Sequence, residues 1–142
     1  MKISELARTA HCPVETVRYY EKEGLLPSPE RTASNYRDYG PQHAERLRFI
    51  RNCRALDMAH DEIRALLAMV DAPRRRCSEV NELLDEHITH VDARIRELTE
   101  LKRQLRSLRD KCTADNTVAA CGIVRGLATM PTEARPARTS HL

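Results

Sequence analysis

The chain of 142 residues lacks tryptophan and contains only one phenylalanine and four glycines. An all-β sandwich or barrel needs many aromatic core residues and tight turns, so this composition argues against such a fold. No apolar run approaches the roughly 18 residues of a membrane span, and the amino-terminal segment lacks the apolar stretch of a signal peptide. We therefore expect a cytoplasmic, mainly helical protein that does not contact a membrane.

A strong charge of one sign is also missing. The formal net charge is +3, and residues 1–64 carry 11 Lys or Arg against 10 Asp or Glu. Any binding to DNA must therefore depend on where the basic residues are placed rather than on bulk charge. The five cysteines are an odd number, which favours reduced thiols and thiol chemistry over a framework of disulfides.

Residues 1–72 predict a helical head. Apolar residues at helical spacing indicate one helix capped by Ser4 and a second helix that starts at Pro13 and ends at Gly24. Two short helices across a tight turn form a helix-turn-helix, whose second helix enters a major groove of DNA. Segment 25–41 alternates aromatic and polar residues and predicts a short hairpin or wing, and two further helices complete the head.

Residues 78–111 predict one long helix, capped by Ser78, that would run about 50 Å at 1.5 Å per residue. Apolar residues recur along it at alternating steps of four and three, which is typical of a coiled-coil dimerisation helix. Acidic residues dominate 79–100 and basic residues dominate 101–112, so antiparallel pairing would set opposite charges together. The helix macrodipole explains the same charge distribution, but we favour antiparallel pairing.

Three cysteines bracket this long helix, Cys77 before it and Cys112 and Cys121 after it. Thiolates are soft ligands that select zinc, cadmium, mercury and lead over calcium or magnesium. Because Cys77 and Cys112 lie at opposite ends of the helix, a shared site must combine Cys112 and Cys121 of one chain with Cys77 of another. Residues 112–128 thus predict a metal-binding loop and short helix, and residues 129–142 predict a disordered tail.

Several sequence blocks resemble a known family of proteins. In the head they are Ile3-Ser4-Glu5-Leu6-Ala7, Thr16-Val17-Arg18-Tyr19-Tyr20-Glu21, Gly24-Leu25-Leu26-Pro27 and Asn35-Tyr36-Arg37-Asp38-Tyr39. These blocks, in this order, resemble the winged helix-turn-helix of the MerR transcriptional regulators, and the resemblance extends to about residue 128. The blocks that resemble the lead-, cadmium- and zinc-responsive branch are Cys77-Ser78-Glu79-Val80-Asn81, Asp85-Glu86-His87-Ile88 and Cys121-Gly122-Ile123.

The resemblance implies a homodimer bound to double-stranded promoter DNA. In such regulators metal binding distorts the promoter, at a deformation cost of a few kcal/mol, so that RNA polymerase can use it. The candidate DNA-binding residues are Thr16, Arg18, Tyr19, Tyr20, Arg31, Asn35, Tyr36, Arg37 and Tyr39. Arginine is the commonest donor to guanine edges and phosphates, which favours Arg18 and Arg37. Tyr20 is either a core residue or a phosphate donor, and Arg31 is either a phosphate ligand or a solvated side chain.

The identity of the metal stays open at this point. Three thiolates suit lead(II) or cadmium(II), zinc(II) would want a fourth ligand, and the nine-residue step from Cys112 to Cys121 also matches mercury(II) sensors. A thiol at position 77 argues against a copper(I) sensor, because the copper sensors that resemble this chain lack one there. His87 and His90, one helical turn apart, could form a second metal site or be ordinary surface or seam histidines.

Other function classes fit the sequence less well. An enzyme is not indicated, because no glycine-rich phosphate loop or Ser/His/Asp arrangement is recognisable. An iron–sulfur sensor would need a tighter cysteine cluster, and a drug sensor would need a ligand domain after the long helix. The alternatives kept are a mercury-responsive regulator of the same family and a thiolate metal-sequestering coiled-coil protein, although the latter would have no use for Arg18 or residues 35–39.

Overall fold

The structure, a computed structural model, describes residues 1–132. Its elements, in chain order, are α1 (Ile3–Thr9), α2 (Val14–Lys22), β1 (Glu30–Arg31), β2 (Arg37–Asp38), α3 (Pro41–Ala55), α4 (His60–Val70), α5 (Cys77–Arg109), a 3₁₀ turn (Val118–Ala120) and α6 (Gly122–Thr129). The prediction of a mainly α-helical fold, with a winged helix-turn-helix and a long helix, is confirmed. The described residues form two units, Met1–Leu83 and residues 84–132, and α5 contributes residues to both.

The first unit has a continuous apolar core because each of its helices presents an apolar stripe at helical spacing. Its most deeply buried side chains are Leu6, Val17, Leu25, Leu26, Tyr39, Leu47, Ile50 and Ile63. Val80 and Leu83, from the first turns of α5, pack against this core. Burial of each such aliphatic side chain stabilises the head by about 1.5–3 kcal/mol.

The ends of the first two helices differ in detail from the sequence predictions. Lys2 takes the extended backbone of an N-cap, so α1 starts at Ile3 and the prediction that Ser4 caps it is wrong. Pro13 is the N-cap of α2 rather than its first residue. The predicted stop at Gly24 is confirmed, because its φ of +75° is a left-handed conformation that suits glycine after a helix.

The wing is a minimal antiparallel hairpin. Glu30 pairs with Asp38 and Arg31 pairs with Arg37. The Thr32 N–H donates to the Tyr36 carbonyl oxygen at 2.7 Å, and the Tyr36 N–H donates to the Thr32 hydroxyl at 3.2 Å. These bonds close a tight loop, which accounts for a wing whose strands are only two residues long.

The second unit contains most of α5 and the segment after it. Helix α5 begins at Cys77, so Ser78 lies inside the helix and the prediction that it is the cap is wrong. Helix α6 continues to Thr129, and most of the predicted disordered tail, residues 133–142, lies outside the described residues. Among the described residues, no helix is both long and apolar enough to cross a membrane.

The apolar seam of α5 is exposed in the single chain. Its large side chains, with 38 to 66 % of their surface exposed, are Leu84, Ile88, Val91, Ile95, Leu98 and Leu105. A helix stripe of this length normally packs against another surface, because removing aliphatic side chains from water lowers the free energy.

Candidate DNA and metal-binding sites

Helix α2 separates a buried face from an exposed one. Val17 and Tyr20 are buried in the head, and Tyr20 exposes only 4 % of its surface, which favours its interpretation as a core residue. Arg18 and Tyr19 lie on the outer face, where Tyr19 is 44 % exposed. Thr16, in the first turn of α2, is half-buried. The exposed face therefore offers a guanidinium and a phenol hydroxyl at a surface suited to a nucleic acid.

A partly buried network of polar side chains links the wing to α2. Arg37, exposed on β2, forms an ion pair of 2.8 Å with Glu21, whose side chain is only 9 % exposed. The Tyr39 hydroxyl donates to the other oxygen of the same carboxylate, and Tyr39 is 1 % exposed. Burial and then the Glu21 carboxylate raise the pKa of Tyr39, so it stays a donor.

This network corrects one of the candidate DNA contacts. Tyr39 was expected to offer a donor to DNA, but its buried hydroxyl is used to hold Glu21, so it supports the wing from below. The Arg37 guanidinium donates a hydrogen bond to the same carboxylate. The remaining candidates sit at the wing itself, where Tyr36 is 72 % exposed and the Arg31 guanidinium donates to the Asn35 carbonyl oxygen at 3.1 Å.

Sequence reasoning missed the residues that fix the end of α2. Arg46 of α3 donates to the Leu25 carbonyl oxygen at 3.0 Å and forms two hydrogen bonds with the Asp71 carboxylate. Arg64 of α4 donates to the backbone oxygen and to the carboxylate of Glu23. The available signal was the presence of arginines in two helices that also carry core residues, but no spacing rule connects such residues to a partner more than 20 positions away.

Two of the three candidate metal ligands meet in the second unit. The Cys112 and Cys121 thiols lie within hydrogen-bonding reach of each other. Cys121 is the N-cap residue of α6, so its thiol lies beside the first backbone N–H groups of that helix, among them those of Ile123 and Val124. These N–H groups first, then Cys112 and the Arg109 charge, lower the pKa of the Cys121 thiol. The arrangement favours the thiolate, which is the form that binds soft metals.

The backbone on either side of these two cysteines is closely packed. A Cβ atom at Gly122 would overlap the Lys111 carbonyl oxygen, so only glycine lets the start of α6 approach the chain that carries Cys112. The Arg109 guanidinium donates to the Cys112 carbonyl oxygen at 2.7 Å, and the Cys112 thiol donates to the Ala114 carbonyl oxygen at 3.4 Å. Helix end, loop and α6 thus form one small structure around the two sulfurs.

The other cysteines and histidines are distributed differently. Cys77 is the exposed first residue of α5, and Cys112 follows the last residue of that helix by three positions. Cys53 lies in the core of the head and Cys12 packs against it, and burial raises the pKa of both thiols. His87 is buried, and its ring centre lies 6.4 Å from that of His90.

Comparison with known proteins decides the family. The pattern described as "MerR HTH family regulatory protein" matches residues 1–70, and "MerR, DNA binding" matches residues 44–108. The "HTH-type transcriptional regulator ZntR homolog" of Haemophilus influenzae is 46 % identical over 116 residues, which are 82 % of this chain and 86 % of that protein. The chain belongs to the MerR family.

Two further relatives indicate which branch of the MerR family the chain resembles. The "Mercuric resistance operon regulatory protein" of Bacillus cereus is 34 % identical over 89 % of this chain and 96 % of its own length. The crystal structure of the transcription regulator PbrR691 from Ralstonia metallidurans CH34, in complex with lead(II), has 50 % sequence identity and a TM-score of 0.78, with 89 % of this chain and 98 % of that chain covered. The chain is therefore a MerR-family transcriptional regulator of the metal-responsive branch.

Proposed function

We propose that this MerR-family regulator acts in the cytoplasm as a homodimeric activator that senses a soft divalent metal ion. Its metal site would consist of Cys112 and Cys121 of one chain and Cys77 of a second copy. The observation that carries the proposal is the pair of adjacent thiols at the start of α6, one of which has a lowered pKa. Two such thiols with a stabilised thiolate fit the ligand chemistry of soft metals.

Lead(II) or cadmium(II) is the proposed ligand, ahead of zinc(II) and mercury(II). Three thiolates complete a site for the first two ions, whereas tetrahedral zinc would need a further ligand. The similarity to a regulator that was crystallised with lead(II) supports this choice. The similarity to a mercuric resistance regulator keeps mercury(II) as the second candidate.

The loop between the two cysteines is the segment that would respond. It ends in the 3₁₀ turn Val118–Ala120, directly before Cys121, so drawing both sulfurs to one ion would fix the loop and the start of α6. Structural thiolate sites bind zinc with about 10–16 kcal/mol, and an equilibrium shift from 1:99 to 99:1 needs about 5.5 kcal/mol. Only part of the binding energy is therefore required to change how the dimer holds DNA.

Promoter DNA would contact the outer face of α2 and the wing. Arg18 is the proposed base or phosphate contact, with Thr16 and Tyr19 on phosphates beside it. At the wing, Tyr36 and Arg31 are exposed, and the Asn35 carbonyl orients Arg31. In the metal-bound state the dimer would distort the promoter into a form that RNA polymerase can use.

DNA binding is tested with a sequence that the protein selects from a pool of randomised duplexes. We expect wild type to enrich one operator with two half-sites and to protect it in footprinting. Arg18→Ala should weaken binding by about 1–3 kcal/mol without changing the metal stoichiometry, because a well-placed arginine contributes that much. Arg96→Ala, an equal loss of charge in α5, should bind normally. Failure to enrich any duplex would favour the metal-sequestering alternative.

The metal site is tested by anaerobic titration of the reduced protein with lead, cadmium, mercury and zinc, followed through thiolate-to-metal absorption. One ion per chain is expected, with lower affinity and a weaker absorption band in Cys77→Ser and an unchanged titration in Cys53→Ser. Unaltered binding in Cys77→Ser would place the site within one chain. A second, weaker ion that disappears when His87 and His90 are replaced by glutamine would establish the proposed histidine site.

A further inference from the structure

Tyr19, the exposed tyrosine of α2, contacts a histidine that sequence reasoning did not single out. The Tyr19 hydroxyl oxygen lies 3.4 Å from Nδ1 of His60, and the two ring centres are 5.5 Å apart with a tilt of 48°. The His60 ring is also nearly perpendicular to that of Tyr20, with the two ring centres 6.3 Å apart. His60 is the first residue of α4, so the contact joins α4 to α2. The two residues are 41 positions apart in the sequence.

The surroundings hold this contact in place. Arg64, one turn further along α4, donates to the Glu23 carbonyl oxygen at 2.8 Å and to its carboxylate at 3.0 Å. Before α4, the Arg54 guanidinium donates to the Met58 carbonyl oxygen at 2.8 Å. The Arg64 bonds hold the start of α4 against the end of α2, and the Arg54 bond holds the segment before α4 against α3, so the imidazole stays beside the phenol.

We infer that His60 is a positioning residue for DNA binding, whose Nδ1–H donates to the Tyr19 oxygen and leaves the Tyr19 O–H to donate to a DNA phosphate. The inference rests on the proposed contact of Tyr19 with DNA. An imidazolium, or a neutral ring protonated on Nδ1, supplies the required donor. A neutral ring protonated only on Nε2 would instead accept the Tyr19 proton and compete with the phosphate for it.

This arrangement makes DNA binding sensitive to pH. The charged and titratable groups that face His60 are Tyr19, Tyr20 and Glu23 of the α2 region, Arg54 of α3, and Asp61 and Arg64 of α4. Burial first, then the charges of Arg54 and Arg64, lower the pKa of His60, while Glu23 and Asp61 oppose them. The free protein therefore carries a neutral ring near neutral pH.

A phosphate held by Tyr19 would favour the imidazolium, so the pKa of His60 would be higher in the complex than in the free protein. Binding is then linked to proton uptake, and affinity rises as the pH falls through the His60 pKa of the complex. The gain is complete only below the pKa of the free protein. The difference between wild type and the His60 variants isolates this contribution from any other pH dependence of the complex.

The test measures affinity for the selected operator duplex at about pH 8 and about pH 6, the range in which histidine titrates, with metal-free reduced protein at one ionic strength. His60→Phe keeps the ring contacts but has no donor, and His60→Asn keeps a neutral donor near the Nδ1 position. We expect His60→Phe to bind about fivefold more weakly than wild type at the lower pH, which is the effect of one hydrogen bond. This variant should also lack the part of the wild-type gain in affinity on lowering the pH that depends on His60. His60→Asn should keep the wild-type affinity at the higher pH but gain nothing at the lower pH.

A double-mutant cycle with Tyr19→Phe identifies the route of the effect. In the Tyr19→Phe background, His60→Phe should cause no further loss and the wild-type pH dependence should already be absent. An equal loss in both backgrounds, or wild-type affinity and pH dependence in His60→Phe, would overturn the inference. If His60→Phe does not fold, His60→Asn and Tyr19→Phe decide the question alone. Wild type binds the duplex in all these outcomes, so they are distinct from a failure of the proposed function.

Discussion

Polar and aromatic side chains of the head either face outward or hold the wing against α2, and the sequence alone does not distinguish these two roles. Arg18 and Tyr19 point outward, whereas Arg37 and Tyr39, from a segment of similar composition, converge on Glu21. The Glu21 carboxylate thus sets the position of the wing relative to α2. The expected DNA surface is smaller than the number of polar and aromatic residues in the head suggests.

Glu21→Gln should loosen the wing. The substitution keeps the shape of the side chain but removes the charge that pairs with Arg37 and accepts the Tyr39 proton. We expect the free energy of unfolding in urea to fall by about 1–3 kcal/mol, because a buried charged hydrogen-bonding group is lost. Affinity for the operator should fall with it. Glu45→Gln, an exposed glutamate on α3, is the control, and equal stability of the two variants would contradict this account.

The cysteines should differ in reactivity according to their surroundings. Alkylation with iodoacetamide requires the thiolate, so a lowered pKa shifts the rise of the rate with pH toward lower values. We expect the rate profile of Cys121 to rise at lower pH than those of Cys12 and Cys53, whose pKa values burial raises. Peptide mapping by mass spectrometry over a pH series measures this order. Coincident profiles for the three residues would refute the proposed stabilisation of the Cys121 thiolate.

At the scale of elements, periodicity predicted which helices exist but not where each one begins. The local spacing of apolar residues is sufficient for α2, α3 and the long helix. Ser4 and Ser78 were wrong as caps because an N-cap depends on one residue adopting an extended backbone, and Lys2 does so instead for α1.

Contacts between elements were beyond the reach of the sequence for a different reason. Glu21 with Arg37 and Tyr19 with His60 are pairs that only the packing of the head brings together. Spacing rules describe neighbours on one helix or strand, and these partners lie on separate elements. The nine-residue step between Cys112 and Cys121 was more informative, since a short loop restricts how far its ends can separate.

The junction between α5 and α6 depends on Gly122. Gly122→Ala should push the start of α6 away from the Lys111 carbonyl oxygen and separate the two thiols. We expect a metal affinity at least about tenfold lower, in the range seen when a metal site loses its supporting contacts, with normal operator binding. Gly126→Ala is the control, because its added methyl group would meet only side-chain atoms of Lys111 and Leu108. Equal affinities in the two variants would show that the close approach is not needed.

At the scale of the whole molecule, the proposed metal site requires two chains. Cys77→Ser and Cys112→Ser each destroy every complete three-cysteine site in their own homodimer. A mixed dimer contains one complete site, formed by the two carboxy-terminal cysteines of the first chain and Cys77 of the second. Two different affinity tags allow the mixed dimer to be purified, and its lead(II) titration should recover one strong site. No recovery would favour a site within a single chain.

The exposed seam along α5 has a consequence for genetics. Chains that pair through this seam would do so whether or not their heads can hold DNA, because the apolar residues from Leu84 to Leu105 lie outside the recognition helix and wing. A cell that carries both a normal copy and an Arg18→Ala copy would therefore divide its normal chains among defective pairs. Such an allele should be dominant, and the loss of induction should grow with the dosage of the defective copy.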